Sequence, residues 1–139
     1  SMPAGDLNPK AAALLETNLH HWTRKSTLSF SPSVAICKDA RTWKEDERLR
    51  EKANVVLVNL PHHSFDHLPD LFPLFIHSGL GLLRGWAIIE RTSLNDCTAQ
   101  LEAMVEAAGG TPCDTLVSEV KGFSTSRCFV VFQSTIVWD

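Results

Sequence analysis

The chain has 139 residues, of which 44% are hydrophobic and 21% charged, and its formal net charge is −3 at pH 7. This length and composition are typical of one globular domain with a real core, so we expect a single α/β domain over 1–139, excised from a larger protein. The acidic balance argues against a general binder of nucleic acid or of an anionic membrane surface, since both need a basic excess, but it still allows a local basic pocket.

The ends of the chain and its cysteines bear on its origin. Ser1 and Met2 are typical of an expression scar, and no apolar run approaches the roughly 18 residues that span a bilayer. The four cysteines are far apart and form no CxxC pair, which argues against a zinc finger or a disulfide framework. We expect reduced, mostly buried thiols in a protein of the cytosol or nucleus.

The first half of the chain predicts two helices and at least one strand. Asn8 and Pro9 are a suitable cap and first turn for the helix PKAAALLETNLHHWTRK, whose apolar face comprises Leu14, Leu15, Leu19 and Trp22. TLSFSPSVAICKD predicts one or two short strands. ARTWKEDERLREKA predicts a solvent-facing helix with opposite charges three and four residues apart.

The second half alternates strands with helices. NVVLVNL is apolar on both faces and predicts a central strand, followed by a loop, short helical pieces around 71–77 and the strand LLRGWAIIERTS. LNDCTAQLEAMVEAA predicts an amphipathic helix that begins with a capping box of Ser93 and Asp96 and ends at Gly109. TPCDTLV and RCFVVFQSTIVW predict two further strands. The pattern indicates a three-layer α/β sandwich with a mostly parallel sheet of about four to five strands.

The loop PHHSFDH contains a partial metal-ligand pattern. His62, Asp66 and His67 match three positions of the HxHxDH signature of metallo-β-lactamase-like hydrolases, but Ser64 occupies the position of its middle histidine. Metal ligands must converge on one point, so we expect histidines of a surface loop and no metal site. The sequence also lacks GxSxG, GxxxxGK[ST] and GxGxxG, and we expect no catalytic residues and no cofactor.

The segment from residue 82 to 116, LLRGWAIIERTSLNDCTAQLEAMVEAAGGTPCDTL, resembles the first half of a BRCT domain. That family has a small residue before an apolar strand, a hydroxyl-bearing turn, a helix ending in Gly-Gly and a second strand. The corresponding residues here are Gly85, Ala87–Ile89, Thr92–Ser93, the helix to Ala108 and Gly109–Gly110.

Two registers of this resemblance are open. In one, RCFVVFQ is the family's third strand, while PKAAALLETNLHHW and RTWKEDERL are its second and its Trp-bearing helices. In the other, NVVLVNLP, LPDLFPLFIHSG and LGLLRGW are the third strand, second helix and fourth strand with the Trp. The two registers exclude each other.

The resemblance implies a phosphate site in the phosphopeptide-binding branch of the family. Thr92 and Ser93 match its hydroxyl, Lys10 matches its lysine in the first register, and Arg91 or Lys121 are substitutes for that lysine. Hydroxyls beside free N–H groups at a helix start also form an anion nest on physical grounds alone. The simpler interpretation is that Ser93 only caps the helix.

The leading interpretation is therefore a BRCT-like, non-enzymatic scaffold module of a nuclear assembly. Its partner would be a protein or a phosphorylated peptide, with no direct contact to nucleic acid or membrane. The alternative is a small metal-dependent hydrolase or Rossmann-like enzyme that uses the His62–His67 loop. A third hypothesis is a structural domain whose interface comprises the apolar residues of 68–83.

Overall fold

The structure, a computed structural model, describes residues 3–25 and 34–139 in two compact units, Ser1–Trp43 and Lys44–Asp139. Residues 1–2, predicted as a scar, and residues 26–33, where part of a strand was predicted, lie outside this range. The α/β class is confirmed. None of the helices in the described residues is long and apolar enough to cross a membrane.

The first unit is a small parallel βαβ arrangement. Strand β1 (Pro3–Gly5) pairs in parallel with β2 (Val34–Ile36), and helix α1 (Pro9–Lys25) lies between them in the chain. The side chain of Asn8 accepts a hydrogen bond from the N–H of Lys10 at 3.0 Å, as predicted for a helix cap.

The apolar face predicted for α1 is only partly buried within this unit. Leu19 is 7% exposed, whereas Leu14 and Trp22 are 66% and 51% exposed. Helical spacing therefore identified the helix but not how much of its apolar face is covered.

The charged segment after β2 does not form the long helix that we predicted. It forms a 3₁₀ helix over Ala40–Glu45 and then turns. The cause is local, because the side chains of Asp39 and Asp46 accept hydrogen bonds from the N–H groups of Arg41 and Arg48 at 2.9 and 3.0 Å. Such Asx turns compete with helical hydrogen bonding.

The second unit is a four-stranded mixed sheet with two helices. Its strands are β3 (Val55–Asn59), β4 (Gly79–Glu90), β5 (Gly110–Gly122) and β6 (Arg127–Trp138), in the order β3-β4-β6-β5. Its helices are α2 (Ser64–Leu71) and α3 (Cys97–Ala107), and a 3₁₀ helix, Phe72–Leu74, follows α2. Strands β3 and β4 are parallel, while β6 is antiparallel to both β4 and β5.

This topology corrects the predicted mostly parallel, three-layer sheet. The loop between β5 and β6 is too short for a crossover, so β6 must return antiparallel, and it inserts between β4 and β5. The predicted central strand NVVLVNL is β3, which lies at an edge of the four-stranded sheet and leaves Leu57 67% exposed.

The core lies on one face of this sheet. Phe65 of α2 contacts Phe132 at 5.1 Å between ring centroids, and Val105 of α3 packs beside Ile136, which faces the same side as Phe132. Both helices of the unit thus cover the same face. The fully or nearly fully buried side chains include Leu68, Phe75, Leu83, Ala87, Leu101, Val105, Val130, Phe132 and Ile136.

Helix α3 confirms its predicted end and corrects its predicted start. Gly109 follows the helix with φ +89°, the left-handed conformation that a C-terminal cap requires. The capping box is wrong, because residues Arg91–Ser93 form a 3₁₀ turn and Asp96, at the N-cap, makes no side-chain capping hydrogen bond.

Candidate functional site

An open cleft of about 200 Å³ lies at the carboxyl ends of β3 and β4. Its walls are the loop and first turn of α2 from Pro61 to Asp66, the last residues of β4, and three residues that follow β4, Ser93, Cys97 and Gln100. In α/β folds ligands bind outside the carboxyl ends of parallel strands. This end of the second unit is therefore its candidate functional site.

The loop that forms one wall is tied firmly to β4. The N–H of Ile88 donates to the carbonyl of Pro61 at 2.7 Å, and the buried hydroxyl of Ser64 lies 2.5 Å from the carbonyl oxygen of Trp86. Ser64 also lies 2.9 Å from the carbonyl oxygen of Leu60. These contacts hold His62 at the rim of the cleft.

An aromatic and cationic cluster stands beside this rim. The ring of His62 meets that of Phe123 edge-on, with 5.9 Å between centroids and an interplanar angle of 77°. The guanidinium carbon of Arg127 lies 5.2 Å from the centroid of Phe123. Phe123 is nevertheless 48% exposed.

The first unit has its own polar groups at strand ends. Asp6 follows β1, where its N–H bonds to the carbonyl of Ile36 at 3.1 Å and its Oδ1 accepts the N–H of Asn8 at 2.8 Å. Asp39 follows β2 closely and forms an ion pair with Arg41. Neither acid was predicted from the sequence as a site residue, although a carboxylate just after a short strand is the available signal.

The residues predicted to hold a phosphate are placed as follows. Thr92 and Ser93 are exposed in the turn after β4, and Ser93 reaches the cleft. Arg91 Nη1 donates to both carboxylate oxygens of Glu119, at 2.9 and 2.7 Å. Lys121 Nζ lies 5.6 Å from the ring of Phe129. Lys10 belongs to the first unit, in the first turn of α1.

The histidines of the segment that we predicted as a loop, of which His67 lies in α2, do not form a metal centre in the described residues. His63 Nδ1 lies 3.6 Å from Asp66 Oδ2, and the rings of His63 and His67 stack with centroids 6.0 Å apart. Within residues 3–25 and 34–139, no three His, Cys, Asp or Glu side chains are grouped to hold one ion. The metal-dependent version of the hydrolase alternative therefore has no ligand cluster here.

The four cysteines are free, as predicted, but only two are buried. Cys97 and Cys128 lie in the core, whereas Cys37 and Cys113 are exposed. Burial raises the pKa of the Cys97 thiol, and the nearby Cys128 and Asp96 add to this effect. Cys97 thus lines the cleft as a neutral thiol.

Comparison with known proteins gives structural matches only. No protein-family profile and no curated protein matches this sequence. The structure of "M. jannaschii TYW2 in complex with AdoMet" matches with a TM-score of 0.77 and 17% identity, over 99% of this chain and 57% of that chain. The "M. jannaschii tRNA m1G37 methyltransferase" matches with a TM-score of 0.67 and 19% identity, over 99% and 38%.

A third match includes a nucleic acid. The complex of aTrm5 with tRNALeu matches with a TM-score of 0.63 and 17% identity, over 97% of this chain and 34% of that chain. This chain therefore spans about a third to just over half of the length of these structures. At such identities the matches show the fold, which is the Rossmann-like fold of these methyltransferase structures.

The comparisons correct the family assignment. The BRCT resemblance is wrong, because the matching structures have a methyltransferase fold and the sheet order β3-β4-β6-β5 includes an antiparallel strand in the middle. This chain has the same local order of a strand, a hydroxyl-bearing turn, a helix and Gly-Gly within a different fold, so the local pattern did not identify the fold. Both registers of the BRCT resemblance are therefore wrong.

The functional predictions that followed from the BRCT resemblance are also contradicted. A non-enzymatic scaffold for phosphopeptides has no support among these matches, which include a tRNA methyltransferase. The exclusion of a nucleic-acid partner conflicts with the tRNA-bound match. The comparisons favour the Rossmann-like enzyme that we gave as the alternative.

Proposed function

We propose that this chain forms part of an AdoMet-dependent RNA methyltransferase. The observation that carries the proposal is the match of 99% of the chain to a structure that was solved with AdoMet, at a TM-score of 0.77. The related matches to a tRNA methyltransferase and to a tRNA complex support RNA as the methyl acceptor.

The polar residues of the first unit fit the nucleoside part of AdoMet. Its ribose offers two hydroxyl donors and its adenine an amino donor, and carboxylates that follow parallel strands accept such hydrogen bonds in Rossmann-like folds. Asp6 and Asp39 are carboxylates at the carboxyl ends of the parallel pair β1 and β2. We assign the recognition of ribose and adenine to these two residues.

For the methionine part of AdoMet, we identify no comparable set of binding groups in these residues. The 139 residues contain no GxGxxG segment, the backbone turn that lets a ligand approach closely in Rossmann-like folds. We therefore assign only the nucleoside part to this chain. When bound, AdoMet supplies an electrophilic methyl group on a positively charged sulfur.

The acceptor side of the proposal rests on the second unit. Asn59 ends β3 and Pro61 follows it closely, and the main chain at Pro61 is fixed by its hydrogen bond to Ile88. This provides a rigid, partly apolar wall that carries the imidazole of His62, and the side-chain amide of Gln100 lines the same cleft. Such groups can orient a nucleobase by hydrogen bonds to its edge. We place the methyl acceptor in this cleft.

Isothermal titration calorimetry of the full chain with AdoMet tests the proposal. We expect saturable binding, with adenosine competing because its ribose and adenine use the same two carboxylates. Incorporation of a tritiated methyl group into bulk transfer RNA then tests the reaction. Absence of both AdoMet and adenosine binding would contradict the proposal.

A further inference from the structure

The tip of the β5–β6 hairpin carries an exposed aromatic ring beside the cleft. Phe123 is the first residue after β5 and is 48% exposed, although a side chain of this size gains free energy when it is buried. The ring is 5.9 Å from that of His62, which lines the cleft, so the cleft and the hairpin tip form one continuous surface.

The hairpin tip is held in place rather than left loose. The N–H groups of Phe123 and Ser124 both donate to the carbonyl of Arg127, at 3.1 and 3.0 Å, and the N–H of Arg127 donates to the hydroxyl of Ser124 at 3.1 Å. The N–H of Arg91 also donates to the carbonyl of Ser126 at 2.8 Å, which ties the tip to the end of β4. Because the main chain that carries the ring is already fixed, ligand binding has little loop-ordering entropy to overcome.

The surroundings of the ring select the chemistry of its ligand. Arg127 lies over the ring at 5.2 Å and supplies a positive charge, His62 contacts the ring at 77° instead of stacking flat on it, and the Phe123 side chain remains 48% exposed. A flat ligand with an attached negative charge fits an exposed ring beside a guanidinium. An unpaired nucleobase with its phosphate is such a ligand, because bases stack on aromatic side chains and arginine binds phosphate.

We infer that Phe123 is a stacking platform for an unpaired RNA base next to the methyl-acceptor cleft, with Arg127 beside it to bind that nucleotide's phosphate. The inference rests on the proposed function for its RNA ligand. It goes further by assigning a base-binding position to the hairpin tip. The platform would hold a base that neighbours the acceptor and would favour single-stranded over paired RNA.

The test is binding of the full chain to a fluorescein-labelled RNA stem-loop with an all-purine loop, compared with a fully paired RNA duplex. Stacking on one aromatic side chain predicts that Phe123→Ala weakens stem-loop binding by about tenfold or more. Phe123→Trp should retain the binding of the unsubstituted chain, since it keeps a stacking ring. Val120→Ala is the matched control, because Val120 is 58% exposed on β5, the strand that leads to the tip.

A second measurement separates stacking from a general loss of affinity. A 2-aminopurine in the loop should be quenched by the unsubstituted chain and by Phe123→Trp, and should stay bright with Phe123→Ala. Duplex binding should change less than about twofold in all three variants. Equal stem-loop binding by Phe123→Ala and Val120→Ala, or absence of stem-loop binding by the unsubstituted chain, would overturn the inference.

AdoMet binding, measured on the same samples, distinguishes the two proposals. If the chain binds AdoMet and Phe123→Ala binds the stem-loop as tightly as the unsubstituted chain does, the platform is overturned and the proposed function stays in place. Loss of quenching in Phe123→Ala in a chain that binds neither AdoMet nor adenosine supports the platform and refutes the methyltransferase proposal.

Discussion

The hydroxyl oxygen of Ser64 lies 2.5 Å from the main-chain carbonyl oxygen of Trp86, across the junction between α2 and β4. Ser64 is 1% exposed, and its hydroxyl is also 2.9 Å from the carbonyl oxygen of Leu60. One buried hydroxyl thus links the end of β3, the start of α2 and the middle of β4. These are the elements that form the wall of the cleft.

Ser64→Ala should lower the free energy of unfolding by about 1–3 kcal/mol, since it removes the donor to buried carbonyls. Urea denaturation followed by tryptophan fluorescence measures the change. Ser93→Ala is the control, because Ser93 is exposed and its change should stay within about 0.5 kcal/mol. Equal stability of the two variants would show that the Ser64 contact contributes nothing.

Gly85→Ala should destabilise the second unit by about 1–3 kcal/mol because the site has no room for a methyl group. A Cβ at Gly85 would lie 2.5 Å from Cζ of Phe132 and 2.6 Å from the carbonyl oxygen of Val58. Thermal unfolding measures the effect. At Gly122 the nearest atom is Nη2 of Arg91 at 3.5 Å, so Gly122→Ala should leave the midpoint unchanged or slightly higher.

The stability of the chain should fall as the pH rises above about 8.5, the pKa of an unperturbed cysteine. Burial raises the pKa of Cys97 in the folded state, so the unfolded state loses this proton first. Between the two pKa values the unfolded state binds fewer protons, and the free energy of unfolding therefore decreases with pH. Below the pKa of the Cys97 thiol in the unfolded state, the thiol is protonated in both states, and its contribution to the free energy of unfolding is fully present.

Urea denaturation at about pH 7.5 and about pH 9.5 checks this sign. Cys97→Ala should show a smaller decrease between the two values, whereas Cys113→Ala, at an exposed position, should show the same decrease as the unsubstituted chain. A steeper decrease in Cys97→Ala would contradict the assignment.

Asp6→Asn should weaken AdoMet binding by about tenfold or more, since it replaces a charged acceptor for the ribose hydroxyls with a neutral one. Asparagine keeps a side-chain oxygen for the N–H of Asn8, so the start of α1 should survive. Titration calorimetry measures the change. Asp114→Asn is the matched control, because Asp114 is exposed at φ +48°, a conformation that asparagine tolerates.

The local elements were predictable from the sequence. Helix α3 and its end at Gly109 follow from apolar spacing and one glycine, and the Asn8 cap follows from a short polar side chain ahead of a proline. These features depend on neighbours within about one helical turn, where the unsatisfied main-chain groups of a helix end are found.

The sheet order was not predictable in the same way. The position of β6 between β4 and β5 is decided by pairing between residues far apart in sequence, and nothing in the apolar strand NVVLVNL indicated that it lies at an edge of that sheet. The 3₁₀ helix near Asp39 was mispredicted for a local reason. The side-chain hydrogen bonds of Asp39 and Asp46 outweigh a charge pattern that favours a long α-helix.

The candidate site was found in part. The loop at His62 was singled out, but for metal ligation, while Phe123 was missed because a single aromatic residue in a polar hairpin has no periodic pattern. Asp6 and Asp39 were missed because lone acids after short strands are common in any sequence.

The insertion of β6 has a consequence for how this chain is made. Arg127–Trp138 leaves the ribosome after every other element of the second unit, yet in the described residues it alone joins β4 to β5. During synthesis β4 therefore has unpaired main-chain groups along one side and β5 along both sides, and such open strands can pair with other nascent chains. This sheet can therefore assemble only after β6 has been synthesised, and chaperones that shield open strands would raise its yield.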